Sequence, residues 1–138
     1  MTFAPSLSLS DLDGSDGFVI NGINSFDRTG SAVSNAGDIN GDGFDDLLIG
    51  SPVPPNNIYV YRYYSRTAAQ NYVVFGGQDF SSGSFNLSEL DGSNGFVIAN
   101  NGVESYFGSS VDVRAAGDLN GDGIDDLITG YLEPIRMA

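Results

Sequence analysis

The sequence predicts an all-β fold: part of a β-propeller of four-stranded antiparallel blades, about one and a half blades long. Three observations carry this. First, long strings recur about 80 residues apart. Leu12-Asp13-Gly14-Ser15-Asp16-Gly17-Phe18-Val19-Ile20 returns as Leu90-Asp91-Gly92-Ser93-Asn94-Gly95-Phe96-Val97-Ile98, an offset of 78, and residues 38–47 return as 118–127, an offset of 80. Second, the apolar runs are short and end at glycine, as Leu47-Leu48-Ile49-Gly50 and Leu127-Ile128-Thr129-Gly130 do, which suits buried strands. Third, 19 glycines in 138 residues, without a sustained helical period, leave no room for long helices. Short strands repeating at this period indicate a propeller or β-array rather than a helical solenoid.

The elements follow in order. Residues 11–22, with a strand at 17–21, supply strand four of a preceding blade. Residues 31–99 make a full blade, with strands at 31–36, 46–50, 71–75 and 95–99. Residues 109–130 begin the next blade. Residues 131–138 depart from the pattern, so the chain is expected to be a gene fragment or a piece of a larger assembly. Asp11, Asp13 and Asp16 lie beside Gly14 and Gly17, and a turn explains them better than an ion site.

The connection from the blade's second strand to its third is unusual. Ser51-Pro52-Val53-Pro54-Pro55-Asn56-Asn57 leads into Ile58-Tyr59-Val60-Tyr61-Arg62-Tyr63-Tyr64. Alternation puts Tyr59, Tyr61 and Tyr63 on one face. They either pack an extended hairpin or form a ridge that contacts a protein or glycan, a use to which tyrosine is suited. In an up-and-down blade this connection emerges at the end opposite the loop between strands one and two, together with the stretches at 21–30 and 100–109. That end is the expected ligand face.

The loop between strands one and two carries the chemistry. In Asp38-Ile39-Asn40-Gly41-Asp42-Gly43-Phe44-Asp45-Asp46, oxygen side chains stand at positions 1, 3, 5 and 9 and glycine at position 6. Such a loop suits a hard cation that takes oxygen ligands. Asp38, Asn40, Asp42 and Asp46 are expected to converge on one Ca²⁺, joined by the carbonyl of Phe44. Asp118, Asn120, Asp122, Ile124 and Asp126 repeat these roles at a second site. Gly43 permits the positive φ of the sharp turn. The EF-hand alternative requires a bidentate Glu at position 12 between two helices, but Ile49 and Thr129 stand there. A dockerin-like module fails for the same reason. Asp45 and Asp125 are expected to point away from the cages into solvent.

Composition narrows the function classes. The net charge of −13 argues against a nucleic-acid partner, whose phosphates would be repelled. Eight of the 18 acidic residues lie in the two loops, and two Ca²⁺ would bring the charge from −13 to −9. Without cysteine or histidine there is no disulfide, no zinc–thiolate site and none of the commonest general base. No Gly-x-Ser-x-Gly elbow or other catalytic set is present, so a non-catalytic chain is expected. No apolar run is long enough to span a membrane. Met1-Thr2-Phe3-Ala4-Pro5 lacks the basic and apolar regions of a signal peptide. Asn86-Leu87-Ser88 is a glycosylation triplet that matters only in a eukaryotic secretory pathway.

The arrangement resembles the FG-GAP repeat, the blade unit of the integrin α propeller and of many bacterial surface and secreted proteins. Gly50-Ser51-Pro52 stands where that family has Gly-Ala-Pro, and Phe107-Gly108 where it has Phe-Gly. The first copy departs with Phe26-Asp27-Arg28-Thr29-Gly30, and the second with Tyr131-Leu132-Glu133-Pro134 after Gly130. The resemblance spans roughly residues 11–130. It implies a calcium-braced adhesion or recognition platform, extracellular or on a cell surface and of bacterial type, with no catalytic residues to carry over. It also implies further propeller blades as partners, supplied by a longer chain or by self-association. Two alternatives stand beside it: a calcium-stabilised structural spacer, and an ancillary propeller of a secreted hydrolase.

Overall fold

The computed structural model describes residues 6–25, 27–51, 70–99 and 113–129. Tyr59, Tyr61 and Tyr63, Phe107-Gly108 and residues 131–138 lie outside them. The fold is all-β. Eight strands run in order: β1 (Val19–Asn21), β2 (Ala32–Gly37), β3 (Asp46–Ser51), β4 (Gln70–Val74), β5 (Ser84–Asn86), β6 (Gly95–Ala99), β7 (Val113–Gly117) and β8 (Asp126–Thr129). Two single 3-10 turns, Leu9–Asp11 and Leu87–Glu89, complete the set.

The centre is a four-stranded sheet in the order β2-β3-β4-β6, antiparallel throughout. This is the predicted blade, each strand within a residue of its expected bounds. Strand pairing sets which residues share a face: Leu48 lies opposite Val73, while Leu47 and Ile49 lie opposite Val74 and Tyr72. The two faces therefore build two cores. Ala36, Leu48 and Val73 form one, with Ile39, Phe75, Ile98 and Leu127 packed against it. Ile49, Tyr72, Val74 and Leu87 form the other, with Ile20, Leu47, Phe80, Phe85 and Leu90 around it. Both faces of the central strands are covered, which is why those strands read as unbroken apolar runs. Burying each of Tyr72, Leu87, Val73 and Val74, the largest enclosed side chains, is worth about 1.5–3 kcal/mol.

The repeat is visible in these cores. Ile20 and Leu47 pack against one cluster, and their repeat counterparts Ile98 and Leu127 pack against the other. Each layer thus joins strand four of one blade to strand two of the next. Strands β7 and β8 pair antiparallel and pack against β2 and β3 as the start of the following blade. The register slips by one residue near Gly37, opposite Asp46, and again near Gly117, opposite Asp126. This bulge aims the chain into the loop that follows.

One pairing differs from expectation. Strand β1 runs parallel to β5, with Val19 beside Ser84 and Asn21 beside Asn86. β5 is three residues long, and no sequence pattern marks so short a strand. Phe18 stacks on Phe80 at 4.0 Å between ring centres, and Phe80 meets Phe85 edge-on at 6.0 Å, which holds the two segments side by side. The acidic cluster at 11–16 is a turn: Asp13 accepts the backbone N–H and hydroxyl of Ser15. Asp91 does the same for Ser93 in the second copy. At the blade entry, Asp27 accepts the N–H groups of Asn24 and Thr29, and Ser51 donates to the Asp27 carbonyl at 2.8 Å. Arg28 takes the left-handed conformation there, at φ 57°.

Candidate metal centre

The loops at 38–46 and 118–126 fold alike. Gly41 and Gly43 have φ 74° and 89°, and Gly121 and Gly123 have 78° and 89°. Asp38 is the hub of the first loop: its Oδ1 accepts the N–H of Gly41 at 2.8 Å and of Asp42 at 3.1 Å, and its Oδ2 that of Gly43 at 2.8 Å. Asp118 accepts the N–H groups of Gly121, Asp122 and Gly123 at 2.7, 3.1 and 2.8 Å. Asn40 and Asn120 each accept the N–H two residues on, at 2.9 Å. Asp42 and Asp122 do the same for Phe44 and Ile124, also at 2.9 Å. Position 9 closes each loop across its base, Asp46 taking the Ile39 N–H at 2.9 Å and Asp126 the Leu119 N–H at 2.8 Å. Two segments 80 residues apart thus share these backbone bonds, with two differences: the Asn40 side-chain amide donates to Asp42 at 2.9 Å whereas that of Asn120 reaches Asp126 at 3.5 Å, and Asp46 also accepts the Gly76 N–H.

Among the described residues, no three acidic groups are gathered closely enough to hold a metal ion. Asp38, Asp42, Asp118 and Asp122 each accept amide N–H donors of their own turn. Backbone bonds hold the Asp118 carboxyl below the usual range, chiefly the Gly123 N–H; desolvation, next in size, opposes, and the N–H groups of Gly121, Asp122 and Asn120 add to the lowering. It is therefore ionised at neutral pH.

The residues fit a calcium ion by two observations. The donor set is oxygen throughout, and a carboxylate or amide oxygen that accepts one N–H keeps a second lone pair for a cation. Asp46 is only 2% exposed, and its oxygens receive the N–H groups of Ile39 and Gly76. A carboxylate so deeply placed is favoured when a nearby positive charge compensates it. The expected position-7 residues sit differently: Phe44 is 58% exposed and Ile124 39%. The Phe44 ring lies over Gly77, where a Cβ would meet it at 2.8 Å, and a Cβ on Gly76 would collide with the Asp45 backbone carbonyl and crowd the Phe44 Cβ. Those contacts explain the glycine pair after β4.

Asp45 and Asp125 correct the expectation that both are merely solvated. Asp45 accepts the side-chain amide of Asn35 at 3.0 Å. Asp125 reaches the neighbouring blade: its N–H donates to the Asp38 carbonyl at 3.0 Å, and its Oδ2 accepts the Asp38 N–H at 3.1 Å. The carboxylate fills the space beside Gly37, where a Cβ would overlap it. Reading each loop alone hides this clasp, because its partner is 87 residues away. The available signal was the aspartate at position 8 in both copies, which the cage does not use.

Residues 29–61 match the family model of the FG-GAP repeat. The chain is 36% identical to integrin alpha-2 of Mus musculus over 108 residues, covering 76% of this chain and 8% of that protein. It is 31% identical to integrin alpha-5 of Xenopus laevis over 113 residues, or 81% and 9% of the two chains. It is also 35% identical to phosphatidylinositol-glycan-specific phospholipase D of Dictyostelium discoideum over 96 residues, or 67% and 9%. The chain thus spans less than a tenth of the length of these relatives. No solved structure gives a significant match. No helix among the described residues is long and apolar enough to cross a membrane. With an FG-GAP match over residues 29–61, the first half of its central blade, and integrin alpha relatives across most of its length, the chain belongs to the FG-GAP repeat family.

Proposed function

We propose that this chain is a calcium-binding propeller module with a recognition or adhesion role in an extracellular setting, and that it does no chemistry of its own. The observation that carries the calcium reading is the duplicated loop network, in which Asp38, Asn40, Asp42 and Asp46 accept the same loop N–H groups as Asp118, Asn120, Asp122 and Asp126. These residues, with the carbonyls of Phe44 and Ile124, would hold one Ca²⁺ per loop. When bound, each ion neutralises charge and ties the entry of strand two to the exit of strand one. The affinity expected of such modules, about 10⁻⁴–10⁻³ M, suits extracellular calcium. Domain limits at 11–22, 31–99 and 109–130 belong to the same reading.

Recognition would fall to the end of the blade opposite the loops, where the connection bearing Tyr59, Tyr61 and Tyr63 emerges, with a protein or glycan as ligand. The likeness to a phospholipase D keeps a second reading in view: a non-catalytic propeller attached to a hydrolase. Calorimetry on the folded chain tests the calcium reading. Two Ca²⁺ per chain, bound in preference to Mg²⁺, is the expected result, and a folded sample that takes up no calcium overturns it.

A further inference from the structure

An asparagine followed by glycine is open to attack on its side-chain amide by the next backbone nitrogen, because glycine is the least constrained residue and puts no side chain in the way. Four such pairs lie in the described residues: Asn21-Gly22, Asn40-Gly41, Asn94-Gly95 and Asn120-Gly121. The structure disarms three of them. The Gly41 and Gly121 N–H groups are held by the carboxylates of Asp38 and Asp118 at 2.8 and 2.7 Å. The Asn40 amide is tied at both ends, its oxygen to the Asp42 N–H and its nitrogen to the Asp42 carboxylate. Asn120 is tied likewise by the Asp122 N–H and the Asp126 carboxylate. Asn94 accepts the Asp91 N–H and donates to the Glu89 carbonyl, and Gly95 is buried at the start of β6.

Asn21-Gly22 lacks these restraints. Both residues are exposed. The Asn21 amide nitrogen donates to Asn86 at 3.0 Å, and among the described residues nothing is bonded to its oxygen. The parallel ladder takes the Val19 N–H on the Gly83 carbonyl. Bonding groups alternate in direction along a strand, so the ladder next uses the Asn21 N–H, and the Gly22 N–H faces away from β5. No described backbone group accepts it. Exposure alone does not single out this pair, since Asn40 and Asn120 are exposed too. The unheld glycine N–H does.

We propose that Asn21 is a site of spontaneous deamidation, with water as the sole co-reactant. Hydroxide takes the Gly22 amide proton, the nitrogen attacks Cγ of Asn21, and the Cγ–Nδ2 bond breaks. The leaving nitrogen takes protons from water and departs as ammonia, which restores the hydroxide. Water then opens the cyclic imide. Breaking its bond to Cγ leaves aspartate, and breaking its bond to the backbone carbonyl carbon leaves isoaspartate, with the chain running through Cγ. The sum is amide plus water giving carboxylate plus ammonia, and nothing is oxidised or reduced. The product sets a carboxylate where an amide N–H faced the Asn86 oxygen. Its isoaspartyl form adds a carbon to the backbone directly after Ile20, which packs on the second core. The exposed end of β1 is thus where this chain ages first.

Peptide mapping by mass spectrometry tests it on the folded wild-type chain, kept in calcium chloride at mildly alkaline pH and sampled over time. Trypsin cuts after Arg28, Arg62, Arg66 and Arg114, which puts the four asparagines in separate peptides. Fragment ions separate Asn94 from Asn101 in theirs. The Asn21 peptide is expected to become about 1 Da heavier, with an isoaspartyl fraction that an isoaspartyl methyltransferase labels. Its conversion should be at least about tenfold faster than at Asn40 or Asn120, where a bond from an N–H to a carboxylate must first break. Asn94, outside the loops, supplies a slow comparison that involves no metal. In urea, where these bonds are gone, the rates should converge. Asn21→Gln, which keeps an amide facing Asn86, should stop the conversion of that peptide. An Asn21 peptide that converts no faster than the others, or a ranking that persists in urea, overturns the proposal.

Discussion

Replacing Gly37 and Gly117 by alanine, one at a time, measures the interblade clasp against an internal control. Both glycines have left-handed backbone, φ 72° and 69°, so either substitution costs about 1–2 kcal/mol of backbone strain. Only at Gly37 does the new methyl collide with Asp125. The side chain must withdraw, and the Asp38 N–H at 3.1 Å loses its carboxylate acceptor. Hydrogen bonds to charged groups contribute about 1.5–3 kcal/mol, and the lower end applies to a partly exposed pair. Gly37→Ala should therefore cost about 3 kcal/mol and Gly117→Ala about 1–2 kcal/mol. For a chain of this size each kcal/mol lowers Tm by about 4 °C. Thermal unfolding followed by circular dichroism, in calcium and at concentrations too low for association, reads the difference. Adding Asp125→Asn should remove most of the excess cost of Gly37→Ala, since the two act through one contact. Equal losses for the two alanines, or full additivity with Asp125→Asn, would refute the clasp as a source of stability.

Other outcomes follow from the same geometry. Asp42→Ala and Asp122→Ala should each reduce calcium stoichiometry from two to one by calorimetry, leaving the other loop's affinity unchanged. Calcium at about ten times Kd should stabilise the chain by about 1.4 kcal/mol per occupied loop, seen as a rise in Tm that chelation reverses. Asp46→Asn should destabilise more than Asp126→Asn in urea titrations, by about 1–3 kcal/mol, because Asp46 is buried and serves both Ile39 and Gly76. Asp13 and Asp91 are held below their ordinary pKa of 3.8, first by the hydroxyl and then by the N–H of Ser15 and Ser93. Their contribution to stability is complete above that value and is lost as pH falls through the lower folded values. Ser15→Ala and Ser93→Ala should make that acid loss shallower in pH-dependent unfolding. Changing Tyr59, Tyr61 and Tyr63 together to Ser should abolish partner binding on a glycan or matrix-protein array while calcium uptake persists. Unimpaired binding would assign the tyrosines to packing.

Much of the blade was legible because its signals are local. Runs such as 47–50 and 72–75 are apolar throughout, as strands covered on both faces must be, and Gly76-Gly77 marks an end. The loops were legible as sequences, since spacing fixes which oxygens each turn presents. Strand β5 went unread because three residues carry no periodicity. The Asp125 clasp went unread for a different reason: a bond across 87 residues is a property of how blades stack, and no local pattern encodes it. Duplication was the one feature able to reveal it, since the aspartate recurs at position 8 without a task inside its own loop.

The layering of Ile20 with Leu47, and of Ile98 with Leu127, bears on how this chain could be lengthened or recombined. The sheet is the unit the eye picks out, but a sheet cut free at residue 31 leaves behind Ile20, which helps cover its Leu47 face. A segment from residue 21 to Ile98, joined behind Ile20 or behind another Ile98, instead receives the strand that covers its Leu47 face and supplies Ile98 to cover the next. Insertion of such a segment adds a layer without breaking any. In-frame duplications about 78 residues long, with junctions beside Gly22, should therefore be the ones that fold, and those that respect sheet boundaries should not.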